Sequence, residues 1–80
     1  MKVQHLLVVF TSYKVIGTEI IGDLTLDFII DGSQKAYANL NIDARKAIVK
    51  WLKKEQKITI PVEKIIFVSF SILDKRIKEL

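Results

Sequence analysis

The chain has 80 residues, a formal net charge of +4 and no cysteine, and half of its residues are hydrophobic. A chain of this length forms one domain whose core is barely large enough to stabilise a fold. The lack of cysteine excludes disulfides and thiolate metal sites, so apolar burial has to supply the stability. This hydrophobic share is more than a small interior can hide, so we expect a partner to cover part of the apolar surface.

The longest run without a charged residue, residues 3–13, is too short for a membrane-spanning helix, which needs about 20 apolar residues. Met1 and Lys2 precede this run as they would in a signal peptide. A small-residue cleavage site is missing, however, and the run alternates in the manner of a strand. We therefore expect a cytoplasmic protein that does not contact a membrane.

Charge is unevenly distributed along the chain. Residues 15–34 carry only acidic charges, whereas residues 35–64 hold eight basic residues against three acidic ones. Acids four residues apart on a strand lie about 13 Å from one another, too far to share a metal ion or a proton. The favoured interpretation is a solvated strand face, and the alternative is an acidic docking surface. The acids concerned are Glu19, Asp23, Asp27 and Asp31.

Residues 3–13 are rich in Val, Leu and aromatic residues and lack the spacing of a helix, which predicts a strand. Apolar residues stand on both of its faces, so we expect a central strand or one covered on both sides. His5 in this strand is the only histidine, and there is no cysteine to share a metal ion with it. We interpret His5 as a structural or surface residue.

Gly17 predicts a turn, after which residues 18–30 alternate between apolar and polar as a half-buried strand does. Gly22 within this strand indicates either a bulge or a group that packs closely over the backbone. Residues 31–33, Asp-Gly-Ser, are a hairpin signal. Residues 35–40 are then predicted to form a short third strand, with an irregular loop as the alternative.

Residues 41–57 are the one convincing helix of the sequence. At 100° per residue, one continuous arc of this helix is apolar and predicts a buried face. Val49 is expected to point outward, and Glu55 to project onto the apolar arc beyond the edge of the sheet. The arc consists of Ala44, Ala47, Ile48, Trp51 and Leu52.

An adjoining arc of the same helix is made of lysine alone. This lysine flank could neutralise phosphates. Against that, the chain has only two arginines and no aromatic residues interleaved with bases, which are the usual means of specific readout and stacking. Nucleic-acid binding, docking to an acidic protein surface and solubility alone all stay open. The lysine flank consists of Lys46, Lys50, Lys53, Lys54 and Lys57.

Pro61 ends any helical continuation, and residues 63–73 predict the last strand. Strict alternation places Ile66, Val68, Phe70 and Ile72 on one side and Ile65, Phe67, Ser69, Ser71 and Leu73 on the other. In the tail, Leu73, Ile77 and Leu80 stand at helical spacing, which predicts a short, frayed helical turn.

The predicted fold is a small two-layer α+β domain spanning residues 1–80, in the order strand, strand, short strand, helix, strand. Its antiparallel sheet has three or four strands, and one helix packs on one face. Because a single helix leaves the other face bare, that face is the candidate oligomer interface. The residues assigned to it are Leu6, Val8, Phe10, Ile65, Phe67 and Leu73.

No nucleophile, acid–base pair, phosphate loop or metal cluster is recognisable, so we expect neither an enzyme nor a cofactor. No small-molecule substrate is evident either. The predicted function is a small protein-binding module, a regulator or an inhibitor, that forms a homodimer or binds another protein. The alternative is a nucleic-acid-binding module that uses the lysine flank.

Overall fold

A computed structural model describes residues 2–79 of the chain and contains a three-stranded antiparallel sheet with one main helix. The main helix, followed by a π-helical turn, covers residues 40–56, which agrees within one residue with the predicted range. Among the described residues, no helix has the length and apolar content needed to cross a membrane. The elements are β1 (Val3–Val15), β2 (Ile21–Ile30), α1 (Gln34–Ala38), α2 (Leu40–Trp51), the π-helical turn (Leu52–Gln56), a 3-10 turn (Val62–Lys64) and β3 (Ile65–Glu79).

β1 is the central strand, because the sheet has the order β2-β1-β3 and both pairings are antiparallel. This position confirms the expectation drawn from its apolar residues on both faces. The side chains of β1 that face α2 are almost completely buried, and α2 covers only this face of the sheet. The predicted two-layer α+β fold is therefore confirmed. The buried residues of β1 are Leu7, Val9, Thr11, Tyr13 and Val15.

Two apolar clusters join the helix to the sheet. At one end, Leu40 packs on Leu7 and Val9. At the other end, Ile48 and Leu52 pack with buried residues of β1 and β3. Burying a side chain of this size contributes about 1.5–3 kcal/mol, so these contacts account for the position of α2 along β1.

Val49 packs against the second cluster, so the prediction that it points outward was wrong. Arg45, one turn earlier on the same flank of α2, places its guanidinium 5.7 Å from the centre of the Phe67 ring in β3. That flank therefore faces β3 rather than solvent. Glu55 is exposed, which agrees with a position beyond the packed part of the arc.

Residues 35–40 form neither a strand nor an irregular loop, because α1 occupies Gln34–Ala38 and α2 begins at Leu40. The Ser33 hydroxyl accepts a hydrogen bond from the Ala36 amide and caps the helix. The Asp31 carboxylate accepts one from the Ser33 amide at 2.8 Å. Asp and Ser side chains suit helix capping as well as tight turns, so the predicted hairpin signal is the start of a helix.

β3 continues to Glu79, so the predicted helical turn in the tail was wrong for the described residues; Leu80 lies outside them. The reason is the length of β1, which begins at Val3, the residue that pairs with Glu79. This pairing supplies hydrogen-bond partners for the backbone of the tail. Residues 71–79 are all exposed. The end of β3 is thus held by strand pairing rather than by burial.

β3 also contains two bulges against β1, which change the faces of its side chains. The register shifts between Val8 and Val9 and between Ser12 and Tyr13, leaving Leu73 and Val68 without partners. Each extra residue moves the following side chains to the other face. Phe70 and Ile72 pair with residues of β1 that face α2, and Ser69 and Ser71 pair with residues of the opposite face. The predicted strict alternation over residues 63–73 was therefore wrong.

Lys57 ends the helix in a left-handed conformation, with φ of 58°. The amides of Lys57 and Ile58 both donate to the Leu52 carbonyl.

A residue with a side chain costs about 1–2 kcal/mol in the left-handed conformation. Glycine removes this cost, but the greater flexibility of glycine in the unfolded chain offsets part of the gain. We expect Lys57→Gly to raise the free energy of unfolding by about 0.5–1 kcal/mol in urea titrations.

Lys50→Gly is the matched control, because Lys50 is equally exposed but lies in regular α-helix. We expect this change to lower the free energy of unfolding by about 1 kcal/mol. Equal destabilisation by both substitutions would contradict the assigned helix end.

Candidate binding surfaces of the sheet and the helix

The sheet face opposite α2, here called the open face, has an apolar stripe along its central strand. Leu6, Val8 and Phe10 of β1 form the stripe, and all three are half-buried. Polar and charged residues flank the stripe on both sides, at the positions fixed by strand register. On β2 these are Thr25 and Asp27 with the apolar Ile29, and on β3 Ser71, Asp74 and Arg76.

A groove of about 390 Å³ lies on the open face at Leu6 and Val8. Asp27 stands on its β2 side, and Asp74 and Arg76 stand on its β3 side. Arg76 Nε is 3.4 Å from Asp74 Oδ2, with the two side chains 80% and 50% exposed. An ion pair this exposed contributes little energy, so Arg76 is available to a carboxylate of a partner.

The six residues predicted as an oligomer interface do not share one face. Leu6, Val8 and Phe10 lie on the open face, as predicted. Ile65 is 1% exposed in the core beneath α2, and Phe67 packs against the same core. Leu73 is the unpaired bulge residue and is 61% exposed.

Sequence reasoning left three residues of this face out of the interface. Ile21, Ile29 and Ile66 belong to the open face by register and are all exposed. The alternation of the β2 isoleucines with acids made their face resemble a solvated surface. Only the register with β1 shows that Ile29 lies beside Leu6 of the apolar stripe, whereas Ile21 and Ile66 lie on either side of Lys14.

The lysine flank forms an exposed basic surface on the helix side of the domain. All five of its lysines are exposed. Within residues 2–79 the structure contains a single ion pair, Arg76 with Asp74, so no lysine of the flank is neutralised by a neighbouring carboxylate. Lys57 stands just beyond the helical residues, at the left-handed end.

His5 links the sheet to α1. Its Nδ1 lies 2.7 Å from the Tyr37 hydroxyl, and the two rings meet edge to face at 5.7 Å. The imidazole also packs against Gly32, where a Cβ atom would collide with it. These contacts fit the structural interpretation of His5. Nowhere in residues 2–79 do three potential metal ligands cluster.

A cavity of about 250 Å³ lies between the edge of β2 and the C-terminal end of the helix. Tyr13 and Gly22 form part of its wall, opposite Trp51, Leu52 and Gln56. Apolar groups predominate in this wall, which also includes Ile20, Ile21, Asp23 and Ile58.

Tyr13 packs directly over the backbone of Gly22, its partner across the strands. A Cβ atom on Gly22 would stand 2.7 Å from the Tyr13 hydroxyl oxygen. The register of β1 with β2 contains no bulge, so of the two explanations predicted for Gly22, close packing is the correct one. Burial raises the pKa of the Tyr13 phenol, and the negative charge of Asp23 raises it further.

No protein-family model, curated protein or solved structure matches this chain. Function is therefore inferred from the exposed surfaces themselves. Three of them stand out by their chemistry: the open face with its groove, the lysine flank, and the free edge of β2 beside the cavity.

The contact between Tyr13 and Gly22 leads to a stability test. We expect Gly22→Ala to lower the free energy of unfolding by about 1–3 kcal/mol, because the added methyl group overpacks the site. In a Tyr13→Phe background the nearest atom would be the ring carbon at 3.0 Å, so the cost of Gly22→Ala should be smaller. A double-mutant cycle measured by urea denaturation gives the difference. Equal costs in both backgrounds would show that the Tyr13 hydroxyl does not restrict this site.

Proposed function

We propose that this protein is a small non-enzymatic binding module that self-associates as a homodimer through its open face, in a regulatory or inhibitory role. The observation that carries the proposal is the apolar stripe of Leu6, Val8 and Phe10, which no described element of the chain covers. Contiguous exposed apolar surface of this kind is typical of protein interfaces. A cytoplasmic location and the absence of catalysis stay predictions from the sequence.

The dimensions of the molecule suit a dimer of this kind. It measures 45 × 20 × 20 Å, so its long face is close to the roughly 800 Å² that each partner buries in a standard stable interface. Ile29, beside Leu6, widens the apolar stripe and is 65% exposed, and Ile21 adds a second apolar group at the other end of β2 and is 76% exposed. Their burial would add hydrophobic stabilisation of about 25 cal/mol per Å².

The charges around the groove favour a second copy of this chain as the partner. A two-fold axis parallel to β1 would lay β2 of one copy over β3 of the other, since such a rotation exchanges the two sides of the face. Asp27 of each copy would then stand opposite Asp74 of the other, because both are level with Val8, and Arg76 lies one residue pair further along the same groove wall, within reach of both carboxylates. Two equivalent ion pairs would flank a shared apolar centre, and charge complementarity of this kind fixes register.

The dimer is tested by placing a charge in the apolar stripe. We expect the protein to sediment as a dimer at micromolar concentration, and Val8→Lys to weaken dimerisation at least about tenfold, because an unpaired charge would be buried. Ile42→Lys is the matched control, since Ile42 is an exposed residue of α2 at 47%. This control should remain dimeric. Circular dichroism checks that both variants are folded.

A charge exchange tests the arrangement of the two copies independently of the apolar stripe. Arg76→Asp should weaken the dimer, and adding Asp27→Arg should restore part of the lost affinity. A protein that remains monomeric at 100-fold higher concentration than the first measurement would contradict self-association. A dimer that Val8→Lys leaves intact would show that another surface is used.

A second candidate function is nucleic-acid binding by the lysine flank. It is favoured by the exposure of all five lysines and by the lack of ion pairs to them within residues 2–79. Each lysine that neutralises a phosphate releases a counterion, which contributes a slope of about −0.9 to the dependence of log affinity on log salt concentration for duplex DNA. Affinity would then come from phosphate contacts rather than from base recognition.

Fluorescence anisotropy with labelled duplex and single-stranded DNA and RNA at two salt concentrations tests this candidate. We expect Lys46→Glu/Lys50→Glu/Lys53→Glu to abolish binding at low salt. The control is Lys2→Glu/Lys35→Glu/Lys64→Glu, which changes the net charge equally at exposed positions outside the main helix. No binding at low salt, or equal loss in both triple variants, would exclude a role of the lysine flank.

A further inference from the structure

The two edges of the sheet differ in how they are protected. β3 has two bulges, and charged residues predominate in its exposed end, residues 74–79. Both features discourage pairing with another strand. β2 pairs with β1 over ten consecutive residue pairs without a register shift, and it contains neither proline nor lysine. The outer edge of β2 is therefore regular, and its only charged residues are Asp23 and Asp27.

The backbone groups on that outer edge follow from two hydrogen bonds of β1. The Val15 amide donates to the Ile20 carbonyl, and the Ile16 amide donates to the Lys64 carbonyl. The backbone amides and carbonyls of the odd-numbered residues of β1 therefore point toward β2. Along an antiparallel pair, the backbone amide and carbonyl of successive residues point alternately toward and away from the partner strand. The odd-numbered residues of β1 pair with the even-numbered residues of β2 from Gly22 to Ile30, so the backbone groups of these even residues point toward β1. The Leu24 carbonyl, which accepts from the Thr11 hydroxyl, agrees with this direction. The amides and carbonyls of Ile21, Asp23, Thr25, Asp27 and Ile29 thus point outward.

The cavity beside the β2 edge has the size of one large apolar side chain. Its volume of about 250 Å³ exceeds the roughly 150 Å³ that suffices to hold benzene. It lies next to Gly22 at the β2 edge, and Trp51 and Leu52 line its opposite wall. A strand laid along β2 would direct the residue opposite Gly22 to the helix side, where the cavity is.

The acidic residues of β2 determine which side chains the added strand should carry on the face opposite the cavity. Asp23 and Asp27 are exposed and lie on the opposite face from Gly22. Glu19 and Asp31 stand just beyond the two ends of β2, and no basic residue occurs in residues 15–34. Opposite charges on directly paired strand residues stabilise pairing, so basic residues are favoured there.

We propose that the free edge of β2 binds an extended basic peptide as an additional antiparallel strand, with one large apolar side chain in the cavity. Main-chain hydrogen bonds would supply affinity, and the cavity and the acids would supply specificity. Because the peptide runs antiparallel to β2, it meets Asp27 first, Asp23 four residues later and Gly22 directly after that. The peptide therefore needs two basic residues four positions apart, with the large apolar residue immediately after the second. This site lies at the outer edge of β2 rather than on the apolar stripe, but it shares Asp27 with the ion pair of the proposed homodimer, so the peptide and a second copy would compete for that carboxylate.

The probe is acetyl-KVTVKLT-amide, which has this pattern, titrated into the full chain. Trp51 is the only tryptophan and lines the cavity, so its fluorescence should change and saturate as leucine enters. Hydrogen exchange of the amides of Ile21, Asp23 and Thr25 should slow, because the peptide carbonyls accept from them. Replacing the leucine by alanine, both lysines by glutamate, or the threonine opposite Thr25 by proline should each weaken binding at least about tenfold.

Asp23→Lys should weaken peptide binding at least about tenfold, whereas Glu63→Lys, the same charge change at an exposed residue outside β2, should not. Asp23 lines the cavity but not the groove of the open face. Because its side chain lies on the open face by register, the oligomeric state of this variant is measured in parallel. No saturable fluorescence change, or equal binding of the proline peptide, would overturn the proposal. The proposal would also be overturned if, without peptide, hydrogen exchange of the β2-edge amides slowed as the protein concentration rose. A second copy of the chain would then occupy the edge.

Discussion

The packing of the apolar arc of α2 against one face of β1 is the contact on which the rest of this structure depends. Ala44 and Ile48 of the helix and Val9 and Thr11 of the strand are all completely buried there. Even Thr11 is satisfied, because its hydroxyl donates to the Leu24 carbonyl at 2.8 Å. One helix covers one face of a central strand, so the opposite side chains of β1 remain uncovered. The apolar stripe of the open face is the direct result.

Different elements carry the opposite charges of this protein, and each element presents a different kind of surface. The helix side carries the lysine flank, β2 carries exposed acids, and the open face mixes both signs around its groove. A self-complementary surface requires both signs on one face, and the open face meets this condition around its groove. The acids of β2 and the lysine flank are instead suited to partners of opposite charge.

The two edge strands are also chemically distinct, and this difference determines where another strand could add. Bulges and the charged end of β3 disturb its outer edge, whereas β2 keeps a regular edge beside an apolar cavity. An edge left regular in a domain that otherwise protects its edges is a surface suited to binding.

The sequence alone determined the features that depend on neighbouring residues. Apolar periodicity located the main helix within one residue at each end. Two-sided apolar residues indicated that β1 is central or covered on both sides, and Gly22 indicated either a bulge or a close contact. Only the tertiary structure decided the features that depend on distant partners. The bulges at Val68 and Leu73 arise from register with β1, and they moved Phe70 and Ile72 to the helix side. Ile65 and Phe67 belong to the core because α2 packs on the face of the sheet that carries them. Register and choice of face result from contacts between residues far apart in the chain, which local periodicity does not encode.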